Sequence, residues 1–281
     1  MLTGSQPSAA RTRTIGPPRR FEVPIRELLE RRELLGFLVW RDIKIRYRQT
    51  LIGIVWVILQ PLCAMAIFTV IFQRLARLEP DGDFYFLFVY AGLAPWLYFS
   101  AALGQASNAM VDNERLLTKV YLPRLYMPLS PTLTGLLDLA VSTSLLIVMQ
   151  LVFGTGGLSW RVLTLPLWAG LLWLWVAALG SMLSAINVQF RDVRYAMPFL
   201  IQLLLFVSPV VYSTSIIPAG WRPLYALNPL STVIDGFRWA IVGAPSLQPV
   251  PVTVSVLTAV VTGLAALVVF HASERSFADV L

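Results

Sequence analysis

Apolar residues gather into six long stretches, Leu51–Phe72, Phe84–Met110, Leu129–Phe153, Leu163–Val188, Tyr195–Tyr212 and Val250–Ala272, with short polar clusters between them. The first is 22 residues long. As a helix it covers about 33 Å, against a bilayer hydrocarbon core of roughly 30 Å. Six crossings put both termini on one side. Upstream, Val23–Val39 follows a helical period: Ile25, Leu28, Leu29, Leu35 and Val39 share a face, while Glu27, Glu30 and Arg31 point away. That pattern fits a helix lying on the membrane, and equally one docked on the cytoplasmic ends of the bundle. Ser213–Pro249 is too polar and Pro-rich to span, yet too apolar for an ordinary loop. It predicts a re-entrant pair of short helices in the outer leaflet, turning at Asn228–Ser231 with Ser231 as N-cap of the second. Asp235 and Arg238, three residues apart on that helix, are spaced to pair at its surface.

The expected organisation is an all-α membrane protein. A disordered cytoplasmic tail covers residues 1–22, the interfacial helix and a basic run 23–50, the six-span domain 51–272, and a cytoplasmic tail 273–281. No cleavable signal peptide is visible in the first residues, which are rich in Ser, Thr, Pro and Arg.

Composition agrees with the membrane reading. Of 281 residues 57% are hydrophobic and 13% charged, with a mean hydropathy of +0.71, where soluble domains carry about 25% charged residues. Orientation follows from the cations. Seventeen of the 22 Lys and Arg lie on the side that holds the termini and five on the other, so that side is cytoplasmic. The two lysines, Lys44 and Lys119, are not part of a GxxxxGK[ST] loop, so ATP hydrolysis by P-loop chemistry is not expected of this chain. One cysteine, Cys63, and one histidine, His271, cannot build a disulfide, a zinc site or a Cys–His nucleophile.

Several residues are candidates for function. Asp138 is the acidic residue that lies well inside a span, where an unpaired carboxylate is expensive. It either faces a pore or pairs with Ser, Thr or Asn of a neighbouring helix. Aromatics crowd the second span, Tyr90 and Trp96 among them, and others lie near the outer side. They read chiefly as belt or lipid-facing residues, with a minority lining a route for sugar rings. Asp112–Pro128 holds a short amphipathic helix over Glu114–Tyr121, stopped by Pro123.

Four motifs, in order, carry a family resemblance. Arg41–Thr50 reads RDIKIRYRQT; Ser208–Tyr212 reads SPVVY; Pro218 is followed by Asn228-Pro229-Leu230 and then by Ile234–Arg238; and the chain ends ERSFADVL. From about residue 25 onward the sequence resembles the permease subunits of type-2 ATP-binding-cassette exporters for lipid-linked polysaccharides. The resemblance implies a homodimer with the path on its two-fold axis, and two copies of a separate ATPase that bind ATP and Mg. Its cargo would be a polyprenyl-pyrophosphate-linked polysaccharide such as O-antigen; capsule, teichoic acid and galactan stay open. The chain itself would carry no cofactor, no metal and no catalytic residue, and would not bind nucleic acid. Its place would be the bacterial inner membrane. Glu114, Arg115, Leu116, Leu117, Lys119 and Val120 would form the helix that couples to the ATPase, with Arg191 and Asp192 as a second contact. Tyr90, Trp96, Asp138, Tyr212, Asn228, Asp235 and Arg238 would belong to the path and outer gate. Arg41, Lys44, Arg46 and Arg48 stand at the level of lipid phosphates, where arginine forks suit a pyrophosphate. The same charges also serve topology and anionic lipid alone.

Two other classes fit less well. A membrane-embedded glycosyl- or phosphotransferase needs clustered carboxylates, and the close pairs Asp112/Glu114 and Asp81/Asp83 sit in loops without further ligands beyond Asn113. A proton- or sodium-coupled carrier usually shows internal repeats and several midplane polar groups, and neither is seen in the sequence.

Overall fold

The computed structural model describes residues 30–48, 55–75, 84–119, 122–155, 157–244 and 247–274. The expected N-terminal tail, the start of the amphipathic stretch with Ile25, Leu28 and Leu29, the beginning of the first span, Val120 and the ERSFADVL ending from residue 275 lie outside them. The described chain is all helix: α1 (Arg32–Arg48), α2 (Val55–Phe68, prolonged by a π-turn over Thr69–Leu75), α3 (Tyr85–Asp112), α4 (Glu114–Lys119), α5 (Tyr126–Phe153), α6 (Leu165–Gln189, after a 3-10 turn over Trp160–Thr164), α7 (Asp192–Val207), α8 (Arg222–Ala226), α9 (Pro229–Phe237, prolonged by a π-turn over Arg238–Val242) and α10 (Pro249–Glu274).

Among the described residues, five stretches are long and apolar enough to cross a membrane: Val55–Arg74, Tyr85–Asp112, Tyr126–Phe153, Trp160–Gln189 and Pro249–Ser273. This is an all-α multi-pass membrane protein. The remaining expected span, Tyr195–Tyr212, is helical only as α7, whose 16 residues reach about 24 Å. Its helix stops where Pro209 forces the preceding residue out of the α region, and Ser208 takes φ −93° and ψ 145°.

Helix α3 is the centre of the bundle. Of its most apolar part 78% is buried, against 6% for α2. Ala91, Gly92, Ala94, Ala102 and Ala106 give it a small-residue surface on which neighbours approach closely. The aromatics of this helix were expected mainly at a belt or against lipid. Tyr85, Phe88, Tyr90, Trp96, Tyr98 and Phe99 are instead buried in the core, because α3 is wrapped by the other helices. Phe99 stacks on Trp175 of α6 at 5.2 Å between centroids, and Tyr98 donates to the Thr132 carbonyl of α5 at 3.0 Å. Trp168 of α6 is buried too, whereas Trp160 and Trp221 are exposed.

At one end of the bundle, Leu38 of α1 is buried in a second cluster with Met110, Tyr126, Val188 and Phe270, where α3, α5, α6 and α10 meet. Leu34 and Leu35 pack beside it. Phe37, Trp40 and Ile45 of α1 are exposed. Leu35, one of the residues that the sequence pattern put on the apolar face, packs against the bundle.

The α3–α6 contact rests on Gly180, where an added Cβ would stand 2.6 Å from the Cβ of Ala106. Gly180→Ala is expected to destabilise the protein by about 1–3 kcal/mol, the usual cost of overpacking. Gly170, on the same helix, has open space around it. Gly170→Ala should therefore leave the melting temperature of the purified protein unchanged or slightly higher, and equal effects at both positions would contradict the packing described.

Candidate functional site

Polar side chains collect at two places, one at each end of the bundle. At the α1 end, the C-terminal half of α1 runs alongside α5. Arg41 forks onto Asp42 at 2.8 and 3.0 Å and reaches Asn113 at 3.3 Å, at the junction of α3 and α4. Asp42 accepts from Ser130 of α5 at 2.6 Å. Higher up, Arg46 pairs with Asp138 and donates to Gln105 of α3 at 2.7 Å. Tyr47 donates to the same Asp138 carboxylate. Burial first, and then the bond to Asp138, pushes the Tyr47 phenol up to about 12, so it remains a donor at any physiological pH.

Asp138 was expected to face a pore or to pair with Ser, Thr or Asn of a neighbouring span. Its partners are a cation and a phenol from the basic run itself. Of the four cations expected at the level of lipid phosphates, Arg41 and Arg46 are drawn into the bundle while Lys44 and Arg48 stay exposed. Lys44 lies 5.4 Å over the Trp40 ring.

Helix α4 follows α3 after Asn113, whose side chain donates to the Ala109 carbonyl at 2.9 Å. Leu116 and Leu117 pack against the Leu38 cluster, and the outward face is Glu114, Arg115, Thr118 and Lys119. Arg191 and Asp192 are exposed at the turn between α6 and α7. That turn reaches the α3 terminus through an Arg194–Asp112 ion pair at 3.5 Å, between two half-exposed groups. The two loops thus form one continuous surface.

At the opposite end, Arg238 is 1% exposed. Its guanidinium donates to the carbonyls of Phe88 at 3.3 Å, Tyr212 at 3.1 Å and Val210 at 2.8 Å. It also lies 3.6 Å over the Phe88 ring, with Asp235 at 3.8 Å. The Asp235–Arg238 pair was expected at the helix surface; its cation is in the interior because the non-helical Ser208–Tyr212 segment presents carbonyls that need donors. Gly92 makes the approach possible, since a Cβ there would meet the Val210 oxygen and the Arg238 guanidinium. The N-cap of α9 is Asn228, not Ser231. Its Oδ1 accepts from Leu230 N at 3.1 Å and its Nδ2 donates to Ser208 at 3.0 Å. Tyr212 hydrogen-bonds Tyr225 through their hydroxyls. Tyr90 and Trp96 sit inside the protomer core, away from any surface.

Sequence reasoning did not single out Asp42, Gln105 or Gly92. The signal for Asp42 lay inside the quoted motif, as a carboxylate among four cations; the other two depend on which helices meet. No group of three or more His, Cys, Asp or Glu able to hold a metal occurs among the described residues.

Residues 33–242 match the family described as ABC-2 type transporter. The O-antigen export system permease protein RfbA of Myxococcus xanthus is 31% identical over 257 residues, covering 91% of this chain and 98% of that protein. RfbA of Klebsiella pneumoniae is 25% identical over 250 residues, covering 89% and 95%. The polysialic acid transport protein KpsM of Escherichia coli is 24% identical over 247 residues, covering 85% and 93%.

Removing one partner of the Arg46–Asp138 pair leaves the other charge without its counter-ion in a place that is less than a quarter exposed, at 23% and 24% for the two side chains. Asp138→Asn and Arg46→Gln should each lower the melting temperature. The double variant should lose less than the sum, with a coupling of about 0.5–3 kcal/mol in a double-mutant cycle. Strict additivity would mean that the pair does not hold α1 to α5.

Proposed function

We propose a working mechanism for a chain that belongs to the ABC-2 type transporter family and is the transmembrane permease subunit of an ABC-type polysaccharide exporter of the O-antigen kind. The reading is carried by the near full-length similarity to two RfbA permeases. In it the cargo is a polysaccharide on a polyprenyl pyrophosphate, moved across the bacterial inner membrane. Two copies of this chain enclose the path between them, and the outward apolar side chains of α2 and α7 supply surface for lipid and for the second copy. Two separate ATPase subunits bind ATP and Mg and supply the energy.

The chain crosses six times, with α7 and the segment after it as a short fifth crossing. Helices α8 and α9 form a re-entrant hairpin that closes the outer mouth, with Tyr212, Asn228, Asp235 and Arg238 as its frame. Both termini are cytoplasmic, as the cation bias requires. The α1 end is then the cytoplasmic one, where cations held against Asp138 and Asp42 meet the lipid-phosphate level. Arg41 and Arg46 seat the helix. Lys44 and Arg48, exposed and one turn apart, receive the pyrophosphate.

Coupling runs through α4 and the α6–α7 turn. Because Leu116 and Leu117 pack inward, the ATPase meets Glu114, Arg115, Lys119, Arg191 and Asp192. Arg115→Glu with Lys119→Glu should lower ATPase co-purification at least about tenfold, since like charges brought together across an interface cost several kcal/mol, while the permease still inserts. Unchanged association and ATPase stimulation would remove this surface from the coupling role.

Topology and headgroup contact have their own tests. Cysteine probes placed in a Cys63→Ala background should be labelled from outside at Ser215 and only from inside at Arg115; the reverse pattern would overturn the orientation. Arg48→Lys keeps the charge and loses the fork. Export slowed several-fold with insertion and ATPase binding intact is expected, and normal export from Arg48→Lys would reduce this residue to an anchor.

A further inference from the structure

Behind the proposed outer hairpin lies a cavity of about 220 Å³. One wall is the turn Ser213-Thr214-Ser215, a second is the face of α9 that carries Ser231, Thr232 and Asp235, and Gln248 stands at the start of α10. Ile217, Ala226 and Val252 add apolar surface. None of this belongs to the coupling surface or to the cation cluster, which sit at the other end of the bundle. We propose that this cavity is a binding site for one neutral hexopyranose ring.

Size limits the ligand. Pockets for drug-sized molecules run to roughly 300–1,000 Å³, so this one suits a single ring. Its chemistry limits the ligand further. A sugar needs hydroxyl partners that both donate and accept, together with an apolar patch for its C–H face. The Ser, Thr and Gln side chains supply the first, and Ile217 with Val252 the second.

Ser231 points to an occupant. The residue is 4% exposed, and its Oγ has no hydrogen-bond partner among the described residues. Buried hydroxyls are nearly always satisfied, and one left open on a cavity wall is a place for a ligand hydroxyl. Asp235 is beside it. Its carboxylate accepts from Thr214 at 3.0 Å and lies 3.8 Å from Arg238.

An anion fits less well. Arg238 donates to three backbone carbonyls, and Arg222 donates to that of Ile217 at 3.1 Å. Arg238 is also offset by the Asp235 carboxylate at 3.8 Å, so Arg222 is the cation on the wall that a phosphate would have to use.

The choice of a sugar rests on the polysaccharide-export function above, whereas the cavity and its open hydroxyl do not. The test uses the permease–ATPase complex in nanodiscs free of glycoside detergent. Saturation-transfer NMR with a panel of methyl α- and β-hexopyranosides should give saturable binding of at least one, with a dissociation constant of about 1 mM. Ser231→Ala should weaken that binding at least about fivefold while leaving the melting temperature unchanged or higher, because it removes an unsatisfied buried group. Thr214→Val should weaken binding similarly, and inorganic phosphate should not compete. The site is overturned if no hexoside binds saturably, if both variants bind as wild type does, or if phosphate displaces the sugar. Export measured in the same strains separates the two readings, since normal export without hexoside binding rejects this site and leaves the exporter standing.

Discussion

A guanidinium withdrawn from water inside a membrane protein is tolerated only where acceptors replace its hydration. Arg238 is in that position, and its acceptors come from parts of the chain far apart in sequence: Phe88 at the start of α3, and Val210 and Tyr212 in the segment after α7. The Val210 and Tyr212 carbonyls lie in the non-helical segment that begins where Pro209 ends α7. One side chain therefore solves two problems that the sequence creates together, a short helix that stops early and a charged residue on a buried helix. Gly92 follows from it, because any side chain there would collide with both the Val210 oxygen and the guanidinium. The position of α9 follows as well, since Arg238 continues that helix and Asn228 anchors its other end to Ser208.

The α1 end obeys the same rule by different means. Three arginine or aspartate contacts, Arg41 to Asn113, Asp42 to Ser130 and Arg46 to Asp138, tie one amphipathic helix to α3 and α5. A carboxylate well inside a span is expensive until a cation reaches it, and a helix of cations stopping at lipid needs counter-charges. Each explains the other. The apolar side chains Phe37, Trp40 and Ile45 remain exposed.

Most of the fold was legible because long apolar stretches have one cheap conformation in lipid. Five of the expected spans match long helices to within a few residues wherever the ends are described. The expectations that differed involve properties periodicity does not encode. Pro209 shortened the fifth helix by local sterics, which the apolar run to Tyr212 concealed. The aromatics of α3 read as belt residues because composition cannot say which helix is central. Asp138 lacked a visible partner because Arg46 is 92 residues away along the chain. The N-cap of α9 was misplaced by three residues because Ser231 and Asn228 are both good caps, and only the fold shows which one has a second bond, to Ser208, to make.

Helix α3 connects the two ends. It carries the Phe88 carbonyl held by Arg238 and, some 25 residues on, the Asn113 junction held by Arg41. Helix α4 begins at the next residue, Glu114. A rigid, buried helix transmits displacement along its axis better than a bent, exposed one, provided something at the far end has two arrangements. Of the three bonds from Arg238, the one to α3 is the longest at 3.3 Å, and the two to the segment after α7 are shorter. In the coupling proposed above, a displacement entering at α4 would reach the Arg238 site along α3, where the guanidinium also lies 3.6 Å over the Phe88 ring.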